Sequence, residues 1–292
     1  MIHRSAWQGL DTLLIDTPLA RCEITLFGAQ VLSFTPRADG RDLLWCSQST
    51  LAPGRPVRGG VPLCWPWFAR QDQPDHAVQH GFVRKIAWEV CELSEEPDGR
   101  VRIVMQPRAS KAPFPDAAQW PLACQPRFEV VVADTLEMSL HTFNDTSQAL
   151  SLTQALHTYF RVGDVRRVTL EGLQGLRYLD KLHDFAEFEQ TDPWRFDAAC
   201  DRIYLQSGSS HRLQDPVLGR TILIDSRHSA STVVWNPGAK GIEALGDVPL
   251  EDWYQYLCIE AGNCAPLDRV LLAPGGKATL TQRIGCEASV VA

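Results

Sequence analysis

Long apolar runs are missing from this sequence. In the opening stretch MIHRSAWQGLDTLLIDTP only Leu13, Leu14 and Ile15 follow one another, too few for the hydrophobic region of a signal peptide or for a bilayer span. A cytoplasmic protein with no membrane partner is therefore expected. A basic excess is missing too. The formal net charge is -7 and the pI is near 5.6, so the long-range field repels phosphate backbones and no nucleic-acid partner is expected. A small anion gripped by a few local arginines stays compatible with that field. The nine cysteines, at 22, 46, 64, 91, 124, 200, 258, 264 and 286, contain no CxxC pair. An odd, scattered set in a long chain reads as buried reduced thiols. The glycine-rich dinucleotide fingerprint, the P-loop, the HExxH helix and the GxSxG elbow are all absent, so the chemistries they support lack a foothold. His76 and His80 have i,i+4 spacing, but that spacing converges on a metal only in a helix, and Pro74 marks a loop. A metal is therefore not expected, and none of these motifs is present to call for an organic cofactor.

What remains is an ordinary globular composition, 45% hydrophobic and 22% charged, with enough apolar residues for a sizeable core. No linker, repeat or low-complexity tract divides it. One domain over 1–292 is expected, with a monomer as the default. Period-two alternation recurs along the chain, whereas amphipathic helical stretches are scarce. Strands are predicted at 21–27, 29–34, 88–93, 101–106, 151–162, 167–172, 221–225, 231–236, 256–261 and 278–284, with a strand pair over 127–144 and short helical turns in 248–254. In that pair Phe128, Val130 and Val132 share a face, as do Leu136, Met138 and Leu140. So many strands exceed what one open sheet carries without curling, and the fold class is an all-β sandwich of large antiparallel sheets.

Three places depart from this pattern. The segment 54–88 concentrates Arg58, Arg70 and Arg84, His76 and His80, and Trp65, Trp67 and Trp88 in proline-rich sequence without periodicity. Loops of this kind carry function because a rigid scaffold presents them. In 153–162, Leu156, Phe160 and Val162 take one face and put His157 on the other. In 256–261, Leu257 and Ile259 face away from Glu260, a carboxylate that is costly in an apolar strand unless paired or hydrated. On pattern alone two readings stand: satisfied polar groups, or a general acid and a general base facing one cavity.

The motifs RGGVPLCWPWF, QHGFVRKIAWEV, ALHTYFRVGDV, GLRYLDK, VVWNPGAKGIEALGD and LCIEAGN occur in this order. Together, over roughly 20–285, they resemble the hexose-6-phosphate mutarotases (glucose-6-phosphate 1-epimerases) of the aldose 1-epimerase superfamily. The resemblance implies a galactose-mutarotase-like β-supersandwich. It also implies His157 and Glu260 as catalytic residues, Asp201 as a ligand of sugar hydroxyls, and Arg58, Gln79 and Arg84 as substrate contacts. His80 matches a place where related mutarotases bind sugar. One departure is Gly238, where a bulky residue is expected.

Exchanging anomers requires a proton taken from the C1 hydroxyl and one given to the ring oxygen. The resemblance therefore implies Glu260 as base and His157 as acid, in a form with Glu260 ionised and His157 protonated and with a bell-shaped pH profile. A sugar phosphate suits guanidinium forks. Arg58 and Arg84 are placed to contact it, or else they cap surface carboxylates, and Gly59-Gly60 would let the ligand approach the backbone. Trp65 and Trp67 either stack on sugar or pack beneath the loop, and Arg70 has no assigned role. The rival functions are an aldose 1-epimerase acting on unphosphorylated galactose or glucose, and a carbohydrate-binding protein without turnover.

Overall fold

Alternating strands need partners on both edges and a second layer for their apolar faces, and the computed structural model supplies both. It describes residues 1–52, 54–70, 77–108, 120–264 and 268–288. His76 and Pro74 of the arginine-rich segment lie outside them. Among the described residues a nine-stranded and an eight-stranded antiparallel sheet dominate, accompanied by a four-stranded meander over residues 2–36 and a two-stranded ribbon. No described helix is long and apolar enough to cross a membrane.

The nine-stranded sheet runs in the order Trp194–Arg195, Thr169–Glu171, Ser210–Asp215, Arg220–Arg227, Lys277–Ala288, Leu136–Asn144, Cys124–Val132, Val101–Pro107, Trp88–Glu95. The eight-stranded sheet runs Ala186–Glu189, Arg177–Asp180, Cys200–Leu205, Ser231–Asn236, Tyr256–Asn263, Gln154–Leu156, Leu63–Cys64, with Tyr159–Arg161 also pairing to Tyr256–Asn263. One apolar cluster joins the inner faces. Phe128, Val130, Leu140, Ile222 and Ile284 come from the first sheet, and Leu156, Phe160, Leu257 and Ile259 from the second. The predicted alternation therefore faces the core as expected, and the opposite face of the eight-stranded sheet is left free to line a pocket.

Two predicted features change. The strand expected over 151–162 is three pieces, Leu150–Leu152, Gln154–Leu156 and Tyr159–Arg161. Thr153 leaves the ladder because its amide donates to Pro66 O and its Oγ1 accepts from Phe68 N. At the second break, Thr158 N turns back to Leu156 O while its side chain binds Gln282. The first sixteen residues and the region 177–215 also form strands that the prediction left out. Several of these are short or mostly exposed, such as Ala186–Glu189, so their apolar alternation is weak.

No disulfide joins any of the nine cysteines, all of which lie among the described residues. Seven are buried as expected, but Cys91, on the edge strand Trp88–Glu95, is exposed, and Cys286, packed at the margin of the core, is half-buried. Gly59 and Gly60 serve packing rather than a ligand. Both have positive φ, and a Cβ on them would meet Trp45 O at 2.4 Å and Val31 O at 2.1 Å. Gly238 is similarly required, with φ +65° and a Cβ there meeting Ala199 Cβ at 3.1 Å. A fully buried Arg220 binds Asp39 at 2.7 Å and the carbonyls of Asp42 and Arg161 at 3.0 Å, tying the loop after the meander to the nine-stranded sheet.

Candidate active site

Strand register brings the two polar residues of the sequence patterns together. Leu156 pairs with Ala261 and Tyr159 with Cys258, so the intervening His157 stands opposite Glu260 across two neighbouring antiparallel strands. Between those pairs Ile259 N donates to Thr158 O at 3.2 Å, whereas His157 N donates to Pro62 O instead of to the strand. Residues opposite one another on antiparallel strands have side chains within reach. His157 Nδ1 lies 3.3 Å from Glu260 Oε1. Both side chains are almost wholly buried, at 9% and 1% exposure. His157 Nδ1 and Glu260 Oε2 nevertheless have no hydrogen-bond partner among the described residues, which is unusual for buried polar atoms.

The pair forms the floor of a cavity of about 460 Å³, a size suited to a small ligand. The His157 ring stacks on Tyr159, with centroids 4.9 Å apart, and meets His80 and Trp235 edge-on. His80 Nδ1 accepts from Ala69 N at 3.2 Å, which leaves the ring proton on Nε2. Burial, reinforced by Arg84, holds His80 and His157 well below the usual histidine range, and burial pushes the Glu260 carboxyl well above the usual carboxylate range. Both shifts work against the charged pair that the active form requires. The physical reason is desolvation, which penalises both ions. The proton inventory is the same for the charged and the neutral pair, because either form carries one proton between two groups 3.3 Å apart.

The walls are cationic in a protein of net charge -7. Arg55, Arg58, Arg70, Arg84, Lys85 and Lys181 line the cavity against the carboxylates of Asp201, Asp247 and Glu260. Their commitments differ. Arg58 is held by Asp247, Nε donating at 3.1 and 3.2 Å and Nη2 at 3.1 Å, and its Nη1 donates to Tyr159 OH. Much of the fork assigned to substrate is therefore occupied by a carboxylate. Lys181 Nζ binds Asp201 at 2.9 and 2.7 Å. Arg84 has no carboxylate partner among the described residues. Its Nη2 donates to Gln79 O at 2.7 Å, while its buried Nε has no partner. Gln79 itself is exposed on the rim, its carbonyl fixing Arg84. Arg70 also reaches the rim, anchored by Nε to Ala77 O.

The sequence reading places His157, Glu260, Arg58, Gln79, His80, Arg84 and Asp201 as site residues, and all seven line this cavity. Trp65 and Trp67 do not. Trp65 is buried with Nε1 donating to Thr142 Oγ1, and Trp67 with Nε1 donating to Val78 O, so both pack beneath the loop. The aromatic surfaces in the cavity are instead Phe68, Tyr159 and Trp235. Lys181 and Asp247 were also missed, although the motifs GLRYLDK and WNPGAKGIEALGD contain them. Among the described residues, no group of three His, Cys, Asp or Glu side chains could hold a metal.

An antiparallel supersandwich with a histidine and a glutamate at the floor of a cation-walled pocket defines a class of carbohydrate-handling β proteins. A match to the aldose 1-epimerase profile over residues 11–285 agrees with it. The chain belongs to the aldose 1-epimerase family. It is 32% identical over 275 residues to a protein of Escherichia coli (strain K12) provisionally named glucose-6-phosphate 1-epimerase, covering 92% of this chain and 89% of that one. A Salmonella typhimurium protein with the same provisional name is 33% identical over 267 residues, covering 89% and 85%. Among solved structures, a Salmonella typhimurium protein provisionally called a mutarotase (YeaD) superposes with a TM-score of 0.89 at 30% identity, covering 98% of this chain and 94% of that one. A galactose mutarotase-like protein from Clostridium acetobutylicum shares the fold, with a TM-score of 0.72 at 12% identity over 99% and 98% of the two chains.

Proposed function

We propose that the protein interconverts the α and β anomers of a hexose 6-phosphate, with glucose 6-phosphate as the first candidate. The observation that carries the phosphate is Arg84, a buried guanidinium with an unpartnered Nε and no carboxylate in contact, in the same cavity as the His157–Glu260 pair. A dianionic group is the natural complement of such a cation. The provisional names of the two bacterial relatives point the same way.

In this reading the whole chain acts as one catalytic unit. Glu260, as carboxylate, takes the proton of the anomeric hydroxyl. His157, as imidazolium, protonates the ring oxygen, the C1–O5 bond breaks, and an open-chain aldehyde results. Rotation about C1–C2 and the reverse transfers, with roles exchanged, close the other anomer. The one-proton pair reaches its charged form by moving a proton across 3.3 Å, without exchange with solvent. Asp201 and His80 would hold sugar hydroxyls, while Gln79 and Arg58 frame the phosphate end. The chemistry calls only for an acid and a base, which supply roughly 10²–10⁴-fold by positioned proton transfer.

One observation favours the second reading, an aldose 1-epimerase for unphosphorylated sugar: Asp247 already occupies the fork of Arg58. Two-dimensional NMR exchange with glucose 6-phosphate and with glucose decides between them. Faster anomer exchange of glucose 6-phosphate is expected. Equal acceleration of both sugars favours the second reading, and no acceleration of either leaves a carbohydrate-binding protein.

A further inference from the structure

Lys181 opens the short 3₁₀ turn Lys181–His183 after strand Arg177–Asp180, at the outer edge of the eight-stranded sheet. Its ammonium reaches back into the cavity, touches both oxygens of Asp201 at 2.9 and 2.7 Å, and lies 5.6 Å from the Phe68 ring centroid. The Lys181 and Asp201 side chains are only 20% and 19% exposed, so this is a partly desolvated pair rather than a solvated surface contact. Pairing register carries the contact toward the acid–base floor. Asp201 pairs with Trp235 and Val233 with Glu260, which puts Asp201 two strands over and two residues along from Glu260, at about 4.8 Å per strand and about 3.4 Å per residue, on the pocket face that Trp235 and Val233 also line.

We propose that Lys181 is a positioning residue of the acid–base pair: its ammonium fixes Asp201 and supplies the positive charge that favours a carboxylate at Glu260. The proposal rests on the hexose-phosphate reading for its assay but not for its geometry. The groups that face Glu260 from the elements around it are His157, Arg84, Lys181, Asp201 and the thiols of Cys64 and Cys258. The Cys264 thiol and the Tyr159 phenol also feel its charge. Burial pushes the thiols and the phenol up and the imidazole down, so they stay neutral near pH 7. Two cations and one anion remain. Of these, Lys181 is the strongest influence holding the Glu260 carboxyl down, and Asp201 pushes it up.

The test is the pH profile of kcat/KM for glucose 6-phosphate anomer exchange in Lys181→Met, Lys181→Arg and Asp201→Asn. Lys181→Met is expected to move the alkaline limb up by about one pH unit and to lower kcat about tenfold, while Lys181→Arg restores both. Asp201→Asn is expected to move the same limb down, because it removes a negative charge. Opposite displacements are something a merely structural role would not produce. A Lys181→Met enzyme with weakened stability or raised KM but an unmoved limb overturns the proposal, as does failure of the arginine variant to restore it. If Lys181→Met does not fold, the direction of the Asp201→Asn limb decides. If the wild type accelerates no anomer exchange, the hexose-phosphate reading fails separately. The proposal is then decided by ¹³C NMR titration of the Glu260 carboxyl in the wild type and Lys181→Met, where unchanged titration overturns it.

Discussion

Replacing Glu260 with glutamine is expected to stabilise the protein while disabling it, and the size of the effect depends on pH in a defined direction. The carboxyl is 1% exposed and its Oε2 has no partner among the described residues. An unfolded glutamate ionises near pH 4.3, whereas burial keeps the native group protonated to higher pH. The stability this carboxyl contributes is therefore full below about pH 4.3 and is lost as pH rises through the raised native value. Glutamine has the same shape and no charge to desolvate, so it escapes that loss. Each pH unit by which burial raises the native carboxyl above its unfolded value contributes about 1.4 kcal/mol, so a gain on the order of 1 kcal/mol or more is expected for Glu260→Gln at pH 8. Near pH 4.5 the gain shrinks toward zero. Urea unfolding of both proteins across pH 4.5–9 measures it, and His157 is present on both sides of the comparison. Anomer exchange should fall by roughly 10²–10⁴-fold in the same variant. A Glu260→Gln protein that is less stable than the wild type at pH 8, or whose advantage does not vary with pH, would refute the account of Glu260 as a strained, desolvated carboxyl.

Other expectations follow from the same geometry. Arg84→Met should raise KM for glucose 6-phosphate roughly ten- to a hundredfold, the worth of a charged hydrogen bond of about 1.5–3 kcal/mol, and change KM for glucose far less. Steady-state polarimetry with both sugars checks it. The wild-type profile of kcat/KM should be bell-shaped. Its acid limb lies below the ordinary histidine value of about 6.5 and its alkaline limb above the ordinary glutamate value of about 4.3, because burial lowers His157 and raises Glu260. An acid limb above 6.5 contradicts it. Asp39→Ala should destabilise by about 3–5 kcal/mol by leaving the buried Arg220 without its carboxylate. Denaturant midpoints test this, and little change means that the carbonyls of Asp42 and Arg161 suffice.

Much of the fold could be read from alternation alone. Phe128, Val130, Leu140, Leu257 and Ile259 were assigned to faces by period two, and each packs in the inter-sheet core. The same rule turned His157 and Glu260 away from that core, because successive side chains on a strand point to opposite sides. The family resemblance then pointed to seven residues, each of which lines the cavity. Periodicity assigns a face but says nothing about which strand lies alongside. Only the register, with Leu156 on Ala261 and Tyr159 on Cys258, sets His157 against Glu260 over more than a hundred residues of chain. Partner choice was equally hidden. Arg58 could be recognised as a cation for a ligand, but Asp247 claims its fork from the loop after strand Ser231–Asn236. Lys181 looked like an ordinary turn lysine until the sheet placed Asp201 beside it. Trp65 and Trp67 carry the same rings as Trp235, yet only burial against Thr142 and Val78 distinguishes packing from pocket. The residue types and their faces are local properties of the chain, and the sequence by itself determined them. Which charges are spent on one another, and which stay free for a ligand, is a matter of distances across the sandwich, and only the tertiary structure decided that.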